Sequence, residues 1–428
     1  VNWLLKGGRV VDPAGKLDAV RDVLVKDGKI ARVGVGIPAD NAKLLDVSGK
    51  VVAPGFIDMH VHLREPGRED EETMESGSAA AAAGGFASIA VMPNTDPWND
   101  SQSITEYIVS QARARATVNV FPIGCISKQG KGEELAEIGD MVKSGIVAVS
   151  DDGHPVSSSH LMRMALEYTR IFDLPVIDHC EERSLSHGGV MHEGYHSTVL
   201  GLRGVPSASE EIMVARDLIL AELTGGRIHI AHLSSRRSLD RVREAKAKGI
   251  RASCEVAPHH FVLTDAAVAE SGYDTNTKMN PPLREEEDRL ALLSGIADGT
   301  VDAIASDHAP HNPIEKEMEF DQAPFGILGL ETSVPLALDR LFHAGRVDLS
   351  RLVSLYTSGP ARILNLKRGT LAVGAVADIT VLDLDRQTEV SVGAFRSKCR
   401  NAPYEGWKLK GAPILTLVGG RIVFDGRT

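Results

Sequence analysis

The sequence predicts an α/β fold: a TIM-like (β/α)8 barrel carrying a small β-sandwich domain assembled from both ends of the chain. Three observations predict it. Short apolar runs alternate with helix-like stretches through the middle of the chain, and eight such repeats over about 310 residues is the count for a (β/α)8 barrel. Both ends read instead as strands broken by tight turns. Histidines and aspartates gather directly after the apolar runs, at the strand ends where such barrels carry their chemistry. A doubly wound open sheet is the competing architecture. No GxGxxG follows the first strand, which weakens its dinucleotide-binding version.

Taken in order, residues 1–52 contain the strand-like segments Trp3–Leu5, Arg9–Val11, Asp22–Val25 and Lys29–Val33, with Asp27-Gly28 as a hairpin turn between the last two. The barrel, placed at 53–367, draws its strands from the runs at 51–57, 87–92, 118–123, 145–149, 174–178, 227–231, 250–256 and 302–305. Helix-like stretches at 101–115, 158–172, 208–223, 235–247, 285–297 and 331–343 separate them. Ser207 and Ser209 ahead of Glu210-Glu211 read as a helix start. Residues 368–428 return to β texture at Asp378–Asp383, Ile414–Val418 and Arg421–Phe424, with a Gly419-Gly420 turn. The segments 1–52 and 368–428 are expected to form one composite β-domain into which the barrel is inserted.

At 428 residues the chain is long enough for one large barrel plus a smaller domain. Its 43% hydrophobic content marks a soluble globular protein, and Lys+Arg 47 against Asp+Glu 58 gives a net charge of -11. That balance argues against nucleic acid or an anionic membrane as partner, although one local arginine suffices for a small anionic substrate. Cys125, Cys180, Cys254 and Cys399 show no CxxC spacing and suggest buried thiols in a reducing cytoplasm. The N-terminus lacks a signal-peptide layout, and no apolar run is long enough to span a membrane.

His60-Val61-His62 sits just past the first run. Residues i and i+2 of a strand share a side, so two imidazoles aim at one point, as suits a zinc-type metal. Alone the pair is a weak signal, because histidines also serve as surface or capping residues. Other strand ends add to it: Asp151-Asp152 after the fourth run, Asp178-His179-Cys180 after the fifth, His232 after the sixth and Asp307-His308 after the eighth. Singly, such a histidine is more often packed core, and such an aspartate a helix cap. Together they set four imidazoles and two carboxylates around one barrel mouth, enough for two metals roughly 3.5–4 Å apart sharing a hydroxide. Metal binding lowers the pKa of water from 15.7 to about 7, and Asp307 is placed to take that proton and pass it to a leaving nitrogen.

Two stretches carry a likeness to a known family. They are Asp58-Met59-His60-Val61-His62-Leu63-Arg64-Glu65-Pro66-Gly67 and Ala305-Ser306-Asp307-His308-Ala309-Pro310-His311, with Lys316 five residues later. Both match the family's signatures without a departure. The chain resembles the amidohydrolase superfamily and, within it, the bacterial type I dihydroorotases. The likeness runs through essentially the whole chain, including Met92-Pro93-Asn94-Thr95, Lys278–Arg284 and Phe325–Thr332. It implies a barrel of the amidohydrolase type and a cyclic-amide hydrolase. That enzyme reversibly cyclises N-carbamoyl-L-aspartate to (S)-dihydroorotate plus water in pyrimidine (UMP) biosynthesis, with Asp307 as general acid and base. It implies two Zn2+ ions, with His60, His62, Asp152 and Asp307 on one and Asp152, His179 and His232 on the other. Many relatives bridge their metals with a carboxylated lysine on the fourth strand. Here that strand ends in Asp151-Asp152 and holds no lysine, Lys143 lying at its wrong end. The choice of Asp152 over Asp151 as bridge rests on the resemblance, since spacing alone does not separate them.

A substrate bearing a carboxylate needs fixed donors near the metals. Arg64 lies two residues past His62, so a strand-like path keeps it on the same side, and its planar fork suits a carboxylate. A surface ion pair with Glu65 or Glu69 is the bland alternative. By resemblance, Arg64, Asn94 and His311 hold the substrate carboxylate, His62 faces the substrate, and Asn280 with the backbone at Phe325 and Gly326 contacts the ring. Without the likeness, Asn94 reads as a turn residue. Residues 312–324 are polar and charged, and read either as an active-site lid or as an ordinary surface loop. His259-His260 follows the seventh run without being needed as ligands, while His187, His192 and His196 read as solvated loop histidines. Cys180 reads as a thiol packed beside a ligand rather than a nucleophile. Two rival functions stand beside the main one. A related dihydropyrimidinase or allantoinase is opposed by Arg64 and the missing lysine. A catalytically dead scaffold subunit for aspartate transcarbamoylase is opposed by the complete ligand set. A homodimer, or an active complex with aspartate transcarbamoylase, is compatible with the resemblance.

Overall fold

The computed structural model describes residues 1–427. Both ends of the chain meet in one eight-stranded sheet. Its order is Arg421–Asp425, Lys408–Val418, Ile379–Glu389, Val51–Pro54, Trp3–Asp12, Leu17–Lys26 and Lys29–Gly34, with Lys43–Asp46 also paired to Trp3–Asp12. Strand alternation explains its two buried faces. Leu5, Val23, Val25, Ile379, Val381 and Leu417 share one apolar cluster, while Leu4, Leu24 and Ile37 share another. The expected turns are present: Asp27 and Gly28 take φ of 50° and 74°, and Gly419 and Gly420 take 53° and 73°. Positive φ at both positions is what a two-residue hairpin requires.

The first apolar run divides between two sheets. Val51–Pro54 pairs antiparallel with Ile379–Leu382 in the terminal sheet, whereas Phe56–Val61 pairs parallel with Phe86–Val91. Gly55 makes the crossing; a Cβ added there would meet Ala87 Cβ at 2.5 Å and Asp378 Cβ at 2.8 Å. The pattern hides this junction, because both halves are buried throughout and read as one continuous run.

Phe56–Val61, Phe86–Val91 and Asn119–Pro122 form one parallel sheet. Val149–Ser150, Val176–Asp178, Ile228–Ile230, Ala252–Val256 and Ala303–Ile304 form a second, in sequential order. Parallel bridges from Gly124 to Val149 and from Val61 to His308 join the two sheets at both of their edges. Strands covered by helices are buried on both faces, which is why they read as apolar runs rather than alternating ones. Helices lie at Gln102–Arg115, Ser159–Thr169, Ser207–Thr224, Arg236–Ala247, Glu286–Asp298 and Ser333–Ala337, the last continuing as a π-helix over Leu338–His343. One helix start differs from expectation. Pro206 caps Ser207–Thr224, and Ser209 instead donates its hydroxyl to the Glu182 carbonyl at 3.0 Å. All four cysteines are buried and free. Among the described residues, no helix is long and apolar enough to cross a membrane.

Candidate active site

The strand ends converge on one point. Phe56–Val61 carries His60 and leads to His62, and the strands at Val149–Ser150, Val176–Asp178, Ile228–Ile230 and Ala303–Ile304 lead to Asp152, His179, His232 and Asp307. All six side chains are buried. Asp152 stands between two pairs of histidines. Its Oδ1 lies 3.4 Å from His60 Nε2, 3.4 Å from His232 Nε2 and 3.8 Å from His179 Nδ1, and its Oδ2 lies 3.4 Å from His62 Nε2. Asp307 Oδ1 lies 3.5 Å from His60 Nε2 and 3.4 Å from His62 Nε2. His179 Nδ1 and His232 Nε2 approach to 2.9 Å. His232 and Asp307 take φ of 29° and 50°, a strained backbone held where both side chains turn into the cluster.

Three of the imidazoles are braced from behind. His60 Nδ1 is 2.7 Å from Glu255 Oε1, His62 Nδ1 is 2.9 Å from Asn94 Oδ1, and His179 Nε2 is 3.1 Å from Glu181 Oε2. Each brace accepts the proton of the far nitrogen, so that the nitrogen facing the cluster offers a lone pair once its own proton is displaced. Glu255 reaches on to His229 Nε2 at 3.2 Å, and His229 Nδ1 meets Ser253 Oγ at 2.8 Å. Burial works to raise the Glu255 carboxyl, but its bonds to His229 and His60 bring it down to about 2. It therefore stays ionised.

The cluster calls for a cation. His60 Nε2 and Asp152 Oδ1 are buried without hydrogen-bond partners. Burial opposes the charges on Asp152 and Asp307, yet His60 and its neighbours hold both carboxyls well below the usual range. Ionised carboxylates among inward-facing imidazoles are a donor set for zinc-type ions. His60, His62 and Asp307 can close on one ion, and His60, Asp152 and His232 on another. Asp151 and Asp152 part company here. Asp151 accepts from the Ile126 and Ser127 amides at 2.8 and 3.1 Å and from the Ser127 hydroxyl, so it braces the loop after the third strand. Asp152 alone faces the histidines.

Beside the cluster lies a cavity of about 340 Å³. Every expected site residue except the fully buried His60 lines it, including Asn280, His311, Phe325 and Gly326. Arg64 reaches it by a different route from the expected one. The strand ends at Val61 and Arg64 takes φ of 59°, so a left-handed turn rather than a continued strand delivers the guanidinium. Its carboxylate partner is neither Glu65 nor Glu69 but Glu71: Arg64 Nε lies 3.2 Å from Glu71 Oε2 and 3.2 Å from the Pro310 carbonyl. That anchor leaves the outer edge of the fork at the cavity, with NH2 3.3 Å from His311 Nε2. His311 Nδ1 faces Glu71 Oε1 at 3.2 Å, and its Nε2 donates to the Phe325 carbonyl at 2.7 Å. Asn280 Nδ2 donates to Glu181 Oε2 at 3.1 Å. The Gly326 amide donates to the Lys278 carbonyl at 2.9 Å, and the Gly326 carbonyl accepts from Lys316 Nζ at 3.0 Å, so the polar backbone of Gly326 is already engaged.

Several residues escaped the sequence. Glu255 and Glu181 brace His60 and His179, and Asp58 ties the first strand to the eighth by accepting from the Ser306 and His60 amides at 3.1 and 3.2 Å. For Glu255 a signal existed: a carboxylate between Cys254 and Val256 at the end of the strand-like run 250–256. His192 is not a solvated loop residue but buried, with Nδ1 3.1 Å from Arg284 NH1. Cys180 is a packed thiol as expected; burial and the nearby Asp178 and Asp217 push it well above the usual thiol range. His259 and His260 are buried outside the cluster, and His260 Nε2 donates to the Pro281 carbonyl at 2.8 Å.

Known proteins resemble this chain in sequence and in fold. The dihydro-orotase-like family matches residues 49–238. The dihydroorotase of Geobacter sp. (strain M21) is 53% identical over 99% of this chain and 100% of its own length. That of Pelotomaculum thermopropionicum is 54% identical over 99% of both chains. Among solved structures, the L-hydantoinase (dihydropyrimidinase) from Arthrobacter aurescens superposes with a TM-score of 0.89 at 27% identity, covering 99% of this chain and 96% of that one. Fold and site define a member of the amidohydrolase superfamily. Within it, the chain belongs to the dihydroorotase family.

Proposed function

We propose that the protein is the dihydroorotase of pyrimidine biosynthesis, cyclising N-carbamoyl-L-aspartate to (S)-dihydroorotate and catalysing the reverse hydrolysis. The observation that carries this is the pairing, in one cavity, of the Asp152–Asp307–histidine cluster with the Arg64–His311 edge. Whole-chain identity of 53% to a curated dihydroorotase supports it. Two zinc ions would be held by His60, His62, Asp152 and Asp307 on one side and by Asp152, His179 and His232 on the other, with Asp152 as bridge and no carboxylated lysine. When bound, they supply Lewis-acid charge and an activated water.

The chain's own residues do the positioning and the proton transfer. Arg64 grips the substrate carboxylate together with His311, whose Nε2–H is shared between that carboxylate and the Phe325 carbonyl, and Asn94, its Oδ1 committed to His62, donates from Nδ2. That grip turns the ring amide toward the cluster, with Asn280 and Phe325 along the ring. Asp307 directs Oδ1 at His60 and His62, so its Oδ2 takes the proton of the attacking water and delivers it to the leaving ring nitrogen. In cyclisation the same oxygen takes the proton from the attacking ureido nitrogen.

The framework of this site is a closed (β/α)8 barrel, supported by the bridges at Gly124 and Val61. It runs from Gly55 to residue 367 and is inserted in a β-domain of residues 1–54 and 368–427. Buried free thiols fit a reducing cytoplasm.

The test measures metal content together with turnover of dihydroorotate, dihydrouracil and allantoin by the isolated, zinc-loaded protein. The expected result is about two zinc ions per chain and dihydroorotate favoured by at least about 100-fold, because a neutral ring leaves the cavity-facing edge of Arg64 without its carboxylate. Preference for either neutral ring overturns the substrate assignment, and a single tightly bound ion overturns the two-metal centre.

A further inference from the structure

The cavity wall that carries Phe325 and Gly326 belongs to no helix or strand; residues 321–326 are irregular. Its carbonyls are taken up nonetheless, by side chains from outside the segment. Lys278 Nζ donates to the Asp321 carbonyl at 3.1 Å and the Ala323 carbonyl at 2.6 Å. Lys316 Nζ donates to Pro324 and Gly326 carbonyls at 3.0 Å each, and to the Thr275 carbonyl at 2.9 Å. His311 takes the carbonyl between them, that of Phe325, at 2.7 Å. The lysines are 2% and 7% exposed, and the acceptors of both ammonium groups are backbone carbonyls. Lys278 Nζ also sits 4.7 Å from the centre of the Phe325 ring. Burial pulls the Lys278 ammonium down to about 8 and that of Lys316 to about 7, and the carbonyls that take up their protons offset part of the cost of burying the charge.

We infer that Lys278 and Lys316 are positioning residues: a two-ammonium clamp that fixes the Asp321–Gly326 wall and, through the Phe325 carbonyl and His311, sets the Arg64–His311 grip on the substrate carboxylate. The inference rests on the dihydroorotase activity proposed above. An ammonium has three protons, and Lys316 has three carbonyls to receive them. A methionine at 316 fills similar volume but leaves those carbonyls without a donor in a buried site, so the wall shifts to find water. The Phe325 carbonyl shifts with it, and His311 loses the acceptor that aligns its ring beside Arg64. His60, His62, Asp152 and Asp307 hang on strand ends, with Glu255 and Asn94 behind the two histidines, so the metal side keeps its geometry.

Lys316→Met, Lys278→Met, Arg64→Met and the Arg64→Met/Lys316→Met double variant are compared as zinc-loaded proteins, with KM, kcat and metal content measured on dihydroorotate. The expected result for each lysine variant is a KM raised roughly tenfold or more, kcat within about threefold of wild type and unchanged metal content. Because the clamp works through the grip, the double variant is expected within about threefold of Arg64→Met alone in KM. A lysine that merely supports the fold would lower kcat and metal content together, and its effect would add to that of Arg64→Met; either result overturns the clamp, as does an unchanged KM. Should Lys316→Met fail to fold, Lys278→Met, singly and combined with Arg64→Met, separates the same two outcomes. A wild-type protein without dihydroorotate turnover overturns the activity on which the clamp rests, whereas normal wild-type turnover with an unchanged KM in the lysine variants overturns the clamp alone.

Discussion

The two sides of the cavity are built on opposite principles. On the metal side, short parallel strands deliver six buried side chains, and single oxygens from Glu255, Asn94 and Glu181 brace three of the four imidazoles. On the carboxylate side there is no strand ladder. Arg64 arrives on a left-handed turn, His311 on a loop, and the wall behind them is held by Glu71 and two buried lysines. A strand places a side chain through backbone bonds that are insensitive to neighbouring side chains. A loop wall has to obtain the same rigidity from buried ions. Changes on the first side should therefore strike kcat and metal binding, and changes on the second should strike KM.

The largest separation is expected at Asp307. Asp307→Asn keeps an oxygen for the cluster but removes the carboxylate that carries the proton. With zinc in excess, kcat is expected to fall by roughly a thousandfold, within the range usual for loss of a general acid–base group, while KM changes little. Steady-state kinetics on dihydroorotate checks this. A kcat within tenfold of wild type would assign the proton transfer to another group and erase the contrast between the two sides.

A smaller effect tests the braces. Glu255→Gln retains an acceptor for His60 Nδ1 yet removes a buried negative charge shared with His229. Metal affinity, measured by competition with a chelator, is expected to drop about 10–100-fold, as is usual when a carboxylate behind a ligating histidine is lost. An unchanged affinity would mean that the strand scaffold alone tunes the site.

This same contrast decides what could be read from the sequence. His60, His62, Asp152, His179, His232 and Asp307 follow apolar runs at fixed spacing, and a strand turns spacing into direction, so their convergence was legible. The two-residue turns at Asp27-Gly28 and Gly419-Gly420 were legible for the same local reason. The split of the run 51–57 at Gly55 was not, because two strands buried on both faces make one uninterrupted apolar pattern. Asp151 and Asp152 were inseparable by spacing, since the difference lies in the Ile126 and Ser127 amides, which come from another strand's loop. Arg64 reaches the cavity on a left-handed turn rather than on a continued strand, with its guanidinium on Glu71 and the Pro310 carbonyl, contacts that no local pattern encodes. Lys278 and Lys316 act on carbonyls up to 45 residues away along the chain, a relation that no local pattern encodes.

The loop side is also expected to be the more sensitive to acid, and His192 tests this with the smallest effect. Arg284 NH1 donates to His192 Nδ1 at 3.1 Å and to the Val205 carbonyl at 2.9 Å, tying the Met191–His192 and Gly204–Val205 strands to the Lys278–Arg284 segment. The imidazole must be neutral to accept that bond. Burial, and then the charge of Arg284, lower its pKa to about 4 from the ordinary 6.5. Between those values the unfolded chain takes up a proton that the folded protein refuses, so stability falls as pH drops from 6.5 toward 4. An asparagine at this position offers Arg284 an oxygen that does not titrate. In chelator-treated protein, His192→Asn should therefore lose about 1–2 kcal/mol less stability than wild type between about pH 7 and pH 5. Urea midpoints at the two pH values supply the comparison, and parallel losses in the two proteins would show that the neutral imidazole is not the acid-sensitive element of the loop side.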